Sequence, residues 1–378
     1  MRTQAPRILL DATPIPPDRG GVGRYVDGVV PALVAAGVEI TVACRPEDAP
    51  GFLAAGALVV RAPASVGRVA RRLIWEQIGL PRLARRVDAE IIHSVHYTFP
   101  VFTRRRRVVT VHDLTFYSHP QVHNPGKRLF FRSWIRLNGI LGNTVLAPSA
   151  ATARAYVQRT GVDRDRIIVA PLGFDDKVFH PPTAEESEAF AADQSPPTSG
   201  WVAFLGTIEP RKNVPGLIQG YIAAMKERPI DRRPALFLAG SRGWDVESMP
   251  LIERAVADGF DVRTLGYLPI EQLSAFLGGA ELVAYPSLGE GFGLPVLEAM
   301  AAGGCVLTTR ELSLPEVGGD SVAYTATASA AIGESISSLL GRRDERDRLR
   351  QSALRRASEF TWERCAAAHV AAYETAGA

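Results

Sequence analysis

Two glutamates eight positions apart, Glu290 and Glu298, bracket a run in which Gly289, Gly291 and Gly293 alternate. Alternating glycines let a backbone approach a ligand with its N–H groups exposed. A helix is predicted to begin just beyond, at Leu294 and Pro295, and its N-terminal dipole favours anions. Proline suits a first helical position because its missing N–H has no partner there in any case. The chemistry open to such a site is a grip on vicinal hydroxyls by carboxylates and on phosphate by the turn. Taken singly, each acid has a plainer reading: Glu298 complements the helix dipole, and Glu290 is a solvated loop acid. The pair around aligned glycines is the more specific feature.

Two further clusters could do chemistry. Arg211 and Lys212 follow a strand-like run over 201–205 and Gly206, just ahead of a helix starting near Val214, where two cations can neutralise a diphosphate. Alone they would read as an exposed basic turn. His112 and Asp113 end a strand over 107–111, at the edge where open α/β sheets place their ligands. A single histidine there is more often structural. His93 and His96 are read as lining rather than as a metal site.

The elements that must position these residues alternate strand and helix. Apolar runs over 7–12, 39–44, 57–60, 90–93, 107–111, 145–149 and 167–172 predict one parallel sheet, and runs over 201–205, 234–240, 262–265, 280–285 and 305–309 a second. Gly20, Gly21 and Gly23 are placed in a loop before a helix from about Arg24 to Ala36. This loop is not a dinucleotide fingerprint, since its third glycine would fall at Val26. Ser149 and Thr361 are expected helix N-caps. Over 181–199, Pro181, Pro182, Pro196 and Pro197 with several acids read as a linker.

A chain of 378 residues with 46% hydrophobic and 22% charged residues suits two soluble α/β domains. The net charge of +3 gives no overall pull toward nucleic acid, and none is expected as a partner. Cys44, Cys305 and Cys365 lack metal-ligand spacing and are odd in number, which points to a reducing cytoplasm. No apolar run approaches the ~18 residues of a membrane span. Residues 66–107 are basic and amphipathic, with Arg68, Arg71, Arg72, Arg82, Arg85, Arg86 and the run Arg104 to Arg107. Two readings stand: a core-packed helix pair broken at Pro81 with a solvated face, or an interfacial surface drawn to anionic lipid on the inner face of the cell membrane.

From Glu290 to Gly303 the chain reads E-G-F-G-L-P-V-L-E-A-M-A-A-G. This resembles the signature of the retaining glycosyltransferases of family four, group 1, and Leu314-Pro315-Glu316-Val317, His112-Asp113-Leu114 and the G-G-V-x-R-Y loop at Gly20 extend the likeness. The resemblance implies a GT-B fold, two facing Rossmann-like domains with parallel sheets and an interdomain cleft. An N-terminal acceptor-side domain would cover 1–180, rejoined by a C-terminal helix over 361–378, and a nucleotide-sugar-binding domain would cover 200–360. It implies that Glu290 and His112 contact the transferred sugar, Lys212 and Arg211 the diphosphate, and Glu298 the ribose. Gly20, Gly21, Gly23, Gly206, Gly291, Phe292, Gly293 and Leu294 would line the donor, with the nucleobase against Gly266 and Tyr267. No metal or cofactor is implied, and Asp163-Arg164-Asp165 is read as a surface turn. The implied reaction transfers a hexose with retention, mannose from GDP-mannose being expected and a UDP-glucose-type donor the rival, to a glycan or lipid-linked acceptor. A GT-B nucleotide-sugar epimerase and a non-catalytic sugar-nucleotide binder are the alternatives.

Overall fold

The computed structural model describes residues 6–16 and 19–377. The chain divides into two units, the first formed by Met1–Gly173 with Phe360–Ala378 and the second by Phe174–Glu359.

The first unit holds seven strands: β1 Ile8–Asp11, β2 Ile40–Cys44, β3 Leu58–Arg61, β4 Ile91–Ser94, β5 Arg106–Thr110, β6 Thr144–Ala147 and β7 Ile167–Val169. All pair in parallel, in the order β3-β2-β1-β4-β5-β6-β7. β1, β2, β4 and β6 are buried at every residue, as strands covered by helices on both faces must be. The C-terminal helix Trp362–Gly377 belongs to this unit and packs on helix Gly20–Ala35. The contact is close because Gly28 carries no side chain: a Cβ there would lie 2.0 Å from the Trp362 indole.

The second unit holds β8 Trp201–Leu205, β9 Ala235–Ala239, β10 Val262–Gly266, β11 Leu282–Tyr285, β12 Val306–Thr309 and β13 Ala323–Thr325. Their order, β10-β9-β8-β11-β12-β13, repeats that of the first six strands of the other sheet, again in parallel. In each sheet the winding reverses between the first strand and the fourth, β1 with β4 and β8 with β11. The crevice outside the carboxyl ends of those two strands is where such sheets bind ligands.

Several expectations need correction. Gly20, Gly21 and Gly23 lie in the first turn of a helix that starts at Gly20 rather than in a loop, with the Gly23 N–H bonded to Arg19 O at 2.8 Å. The expected break at Pro81 is absent, and one helix runs Val69–Arg86 with Pro81 buried inside it. Where a linker was expected, helix Ala184–Gln194 forms, because Thr183 and Glu186 make a reciprocal capping box that outweighs the flanking prolines. Ser149 and Thr361 do cap their helices, accepting from the N–H groups of Thr152 and Arg364 respectively.

Candidate active site

In the second unit, Gly206, Gly240 and Gly266 stand at the carboxyl ends of three adjacent strands, each with positive φ (153°, 128° and 66°). Backbone bonds join them, Gly206 N to Ala239 O at 2.9 Å and Gly240 N to Gly266 O at 2.6 Å. The result is a shelf without side chains beside the winding reversal. Gly206 opens the turn that carries Arg211 and Lys212, and Asn213, at φ 57°, ends that turn before helix Val214–Lys226. Asn213 Nδ2 holds it against the Pro286 and Thr327 carbonyls at 3.2 and 2.9 Å.

The turn after β11 meets it. Glu290 is 7% exposed, so it is not a solvated loop acid. Its Oε1 accepts from Lys212 Nζ at 2.8 Å, Tyr285 Oη at 2.9 Å and Ser287 Oγ at 2.8 Å, while Oε2 pairs with Arg211. Lys212 Nζ also donates to Tyr285 Oη, and Arg211 reaches Gly289 O at 2.8 Å and Glu209 Oε1 at 2.6 Å. Ser313 Oγ donates to the Glu290 and Phe292 carbonyls at 2.7 and 2.8 Å and so pins the glycine turn from the far side. Gly293, at φ 107°, then enters helix Leu294–Ala301, with Phe292 and Leu294 buried. Burial alone would raise the Glu290 carboxyl, but Arg211 and Lys212 hold it down at about 2. Burial and the neighbouring Arg211 lower the Lys212 ammonium, and Glu290 opposes both. The cluster is a pair of cations fixed in place by two carboxylates, Glu290 between them and Glu209 on Arg211, and both cations are positioned to meet an anionic ligand. Glu298 is buried within its helix, and Tyr267 is 72% exposed beyond the Gly266 shelf.

In the first unit, His112 follows β5 and is partly buried, with Nε2 donating to Val95 O at 2.7 Å. A carbonyl can only accept, so Nε2 carries the proton. Burial lowers the ring's affinity for a second proton, although Val95 and Asp113 act the other way, so Nδ1 presents a lone pair. Asp113 Oδ1 accepts from Thr115 N and Oγ1 at 2.9 and 2.8 Å, starting the short helix Thr115–Ser118. His93 is no lining residue, being fully buried between Thr110 and Tyr373. The Asp163 carboxylate caps its own turn at Asp165 N.

Sequence reasoning missed a polar cluster at the winding reversal of this sheet. Asp11 and Ser94 are register partners on β1 and β4, and both are buried. Arg72 donates to Glu76 Oε2 at 3.0 Å, Thr98 Oγ1 donates to the same oxygen at 2.6 Å, and the Arg72 charge also faces Asp11. Among the described residues, Asp11 Oδ2, Ser94 Oγ and His96 Nδ1 have no hydrogen-bond partner. The signal was available in Asp11, an acid closing the apolar run Ile8–Asp11. In the second unit, Tyr285, Ser287 and Ser313 were likewise passed over as partners of Glu290.

The buried histidines set the acid stability of the first unit. Burial lowers His93, brings His96 down to about 3 and His369 to about 4, and lowers His112. An unfolded chain protonates its histidines near pH 6.5, so stability falls as pH drops from there toward 4, by about 1 kcal/mol per pH unit for each uncompensated ring. Glu76, pushed up to about 7 by burial and Asp11 against Thr98 and Arg72, keeps its proton when folded and offsets one ring between pH 4.5 and 7. Denaturant midpoints at pH 7 and 5.5 should therefore differ, with the lower value at pH 5.5. Equal midpoints would contradict the neutral state of these rings.

The chain is similar to known proteins. A family model described as Glycosyltransferase Family 4 matches residues 19–178, and one described as Glycosyl transferases group 1 matches residues 185–356. The chain is 30% identical over 292 residues to O-antigen chain mannosyltransferase B of Escherichia coli, covering 75% of this chain and 74% of that protein. It is 31% identical over 237 residues to the MMP alpha-(1->4)-mannosyltransferase of Mycolicibacterium hassiacum, covering 61% of this chain and 54% of that protein, so the match spans about half of that relative. In fold it is similar to a glycosyltransferase of Rickettsia africae, with a TM-score of 0.76, 14% identity and 99% of both chains covered. The lipopolysaccharide glycosyltransferase WaaG gives a TM-score of 0.74 at 16% identity, over 96% of this chain and 98% of that one. With both halves matched by these models and three quarters of its length aligned to a relative at 30% identity, the chain belongs to the family four, group 1 glycosyltransferases of the GT-B fold.

Proposed function

We propose that this glycosyltransferase moves mannose from GDP-mannose to a hydroxyl of a glycan or lipid-linked acceptor, with retention at the anomeric carbon and without a metal. The observation that carries this reading is the Arg211–Lys212–Glu290 cluster at the winding reversal of the second sheet, where a diphosphate finds two cations already held in place by carboxylates. In the reaction the bond from the anomeric carbon to the phosphate oxygen breaks. The acceptor oxygen bonds to the same face of that carbon, and its proton passes to the departing phosphate. Arg211, Lys212 and the N–H groups opening helix Leu294–Ala301 stabilise the charge that collects on the diphosphate. Glu290 holds the cations and the sugar, the His112 Nδ1 lone pair accepts from a sugar hydroxyl, and Glu298 addresses the ribose. The mannosyltransferases among the relatives support mannose as the sugar.

A panel of sugar nucleotides, with nucleoside diphosphate release followed with and without candidate acceptors, tests this reading. Acceptor-dependent GDP release from GDP-mannose is expected, and the anomeric NMR signal of the product should match that of the donor. Faster turnover of UDP-glucose would replace the donor. Conversion to a new sugar nucleotide without acceptor would make the protein an epimerase, and tight binding without turnover a silent binder.

Contact with lipid fits the same reading. Among the described residues no helix is long and apolar enough to cross a membrane. Helix Val69–Arg86 presents Val69, Ile74 and Ile78 (70, 61 and 48% exposed) among exposed Arg68, Arg71, Arg82, Arg85 and Arg86, while its one acid, Glu76, is fully buried. Near an anionic surface each such arginine contributes about 1 kcal/mol. The protein is expected to sediment with phosphatidylglycerol vesicles and not with phosphatidylcholine ones, losing the interaction in high salt and in the Ile74→Ser/Ile78→Ser variant. Equal binding to both vesicles, or to neither, would remove the membrane from the account.

A further inference from the structure

Five hydrogen bonds cross the core of the first unit and end on a backbone carbonyl that fixes the direction of every one. His369 Nδ1 lies 2.7 Å from Cys365 O and must donate to it. Burial keeps the His369 ring neutral, so its Nε2 accepts, and the partner 2.6 Å away is the Tyr25 hydroxyl. With its proton committed, the Tyr25 oxygen accepts from Thr110 Oγ1 at 3.0 Å. Thr110 in turn accepts from His93 Nε2 at 2.9 Å, and His93 Nδ1 accepts from Tyr373 Oη at 2.9 Å. The chain therefore runs one way, Tyr373 to His93 to Thr110 to Tyr25 to His369 to Cys365. All five side chains are 3% exposed or less.

Such a network is not needed for stability. Apolar residues of the same shape could fill this space at similar or lower free energy, whereas a polar chain with every member satisfied specifies one arrangement of the elements it joins. Here it joins helix Gly20–Ala35, strands β4 and β5 and the C-terminal helix Trp362–Gly377, and it closes around His112. Thr110 lies two residues before His112, and His93 lies two residues before Val95, whose carbonyl accepts the hydrogen bond from His112 Nε2. The Tyr25 ring meets the His112 ring edge-on, with centroids 5.2 Å apart and planes at 77°.

We propose that Tyr25 and His369 are positioning residues for hexosyl transfer: through this one-way chain the C-terminal helix holds β4, β5 and the Tyr25 ring so that His112 Nε2–H stays on the Val95 carbonyl, the contact that fixes its tautomer and exposes its Nδ1 lone pair. The inference rests on the functional reading above, in which His112 addresses the transferred sugar. It deepens that reading by making the last helix part of the active-site scaffold.

The test separates positioning from stability. Tyr25→Phe keeps the ring but leaves Thr110 and His369 without their partner, so both melting temperature and kcat should fall. In Tyr25→Phe/His369→Leu the partnerless nitrogen is removed as well. The double variant should regain most of the lost melting temperature while its kcat stays roughly 10- to 100-fold below wild type, the scale of a misplaced group. Its affinity for nucleoside diphosphate, a property of the second unit, should be unchanged. Nitrogen-15 spectra of histidine-labelled protein should show His112 as the Nε2–H tautomer in wild type and as a mixture in the double variant. A double variant with wild-type kcat, or one with an unaltered His112 signal, would overturn the proposal. If no sugar nucleotide is turned over by wild type, the transfer reading fails instead, and the His112 tautomer still decides whether the chain positions that ring.

Discussion

Alanine at Lys212 is expected to lower kcat for hexosyl transfer by about 10²- to 10³-fold, the cost of removing one preorganised donor from a site where charge develops. The ammonium is held by Glu290 Oε1 and Tyr285 Oη and is 7% exposed, so it has little freedom to reorganise when the diphosphate departs. Arg211 stays paired with Glu290 in the variant, so the carboxylate is not left as an isolated buried charge and the unit should still fold. Glu290→Gln probes the same cluster from the other side. Burial and Arg211 already lower the Lys212 ammonium, and the Glu290 charge is what restrains that shift. With glutamine in its place Lys212 loses its proton at lower pH. The alkaline limb of the kcat profile should therefore move toward neutrality, beside a lower plateau. Wild-type turnover in Lys212→Ala, or an unmoved alkaline limb in Glu290→Gln, would detach the cluster from catalysis.

Much of this cluster was legible because its parts are local. Strand, glycine turn and helix around Glu290 follow from an apolar run, alternating glycines and Pro295, and all three appear as read. What the local pattern could not give was the environment of the acid. The partners that turn Glu290 from a loop carboxylate into a buried anion come from Lys212 and Arg211, 78 residues away in sequence for the lysine contact. Ser313, which pins the same turn, approaches from the other direction. The strands were read almost completely because parallel strands buried on both faces are unbroken apolar runs. β13, three residues long at the sheet edge and only partly buried, lacks that signature.

Helices were misread where two local signals competed. Pro81 argued for a break, yet helix Val69–Arg86 continues because its inner face is anchored by the buried pair of Arg72 and Glu76 and by Gln77, whose amide oxygen accepts from Val101 N at 2.8 Å. Pro181 and Pro182 argued for an extended linker, yet Thr183 and Glu186 cap a helix directly after them. The polar core of the first unit shows the limit most clearly. Tyr25, His93, Thr110, His369 and Tyr373 come from four elements, and only the fold brings them onto one line.

Gly240→Ala is expected to destabilise the second unit by roughly 3 kcal/mol or more and to abolish measurable nucleotide binding. The residue sits at φ 128°, where an L side chain is strained, and a Cβ built there would lie 2.3 Å from the Gly206 oxygen and 2.6 Å from its carbonyl carbon. Both atoms are backbone, so no rotamer change can relieve the clash, and the turn that carries Arg211 and Lys212 must move. Gly266→Ala is the matched control on the same shelf. It also has positive φ, 66°, but its Cβ would meet nothing within 4 Å, so it should cost only about 1 kcal/mol of stability and leave the Gly206 turn in place, any loss of nucleotide affinity there coming from the methyl meeting the ligand itself. The difference between the two variants isolates close packing of the shelf from backbone strain. Calorimetric titration with nucleoside diphosphate, alongside chemical denaturation of each variant, measures it. Similar losses of stability at both positions would mean that backbone strain alone, and not close packing against Gly206, accounts for the cost at Gly240.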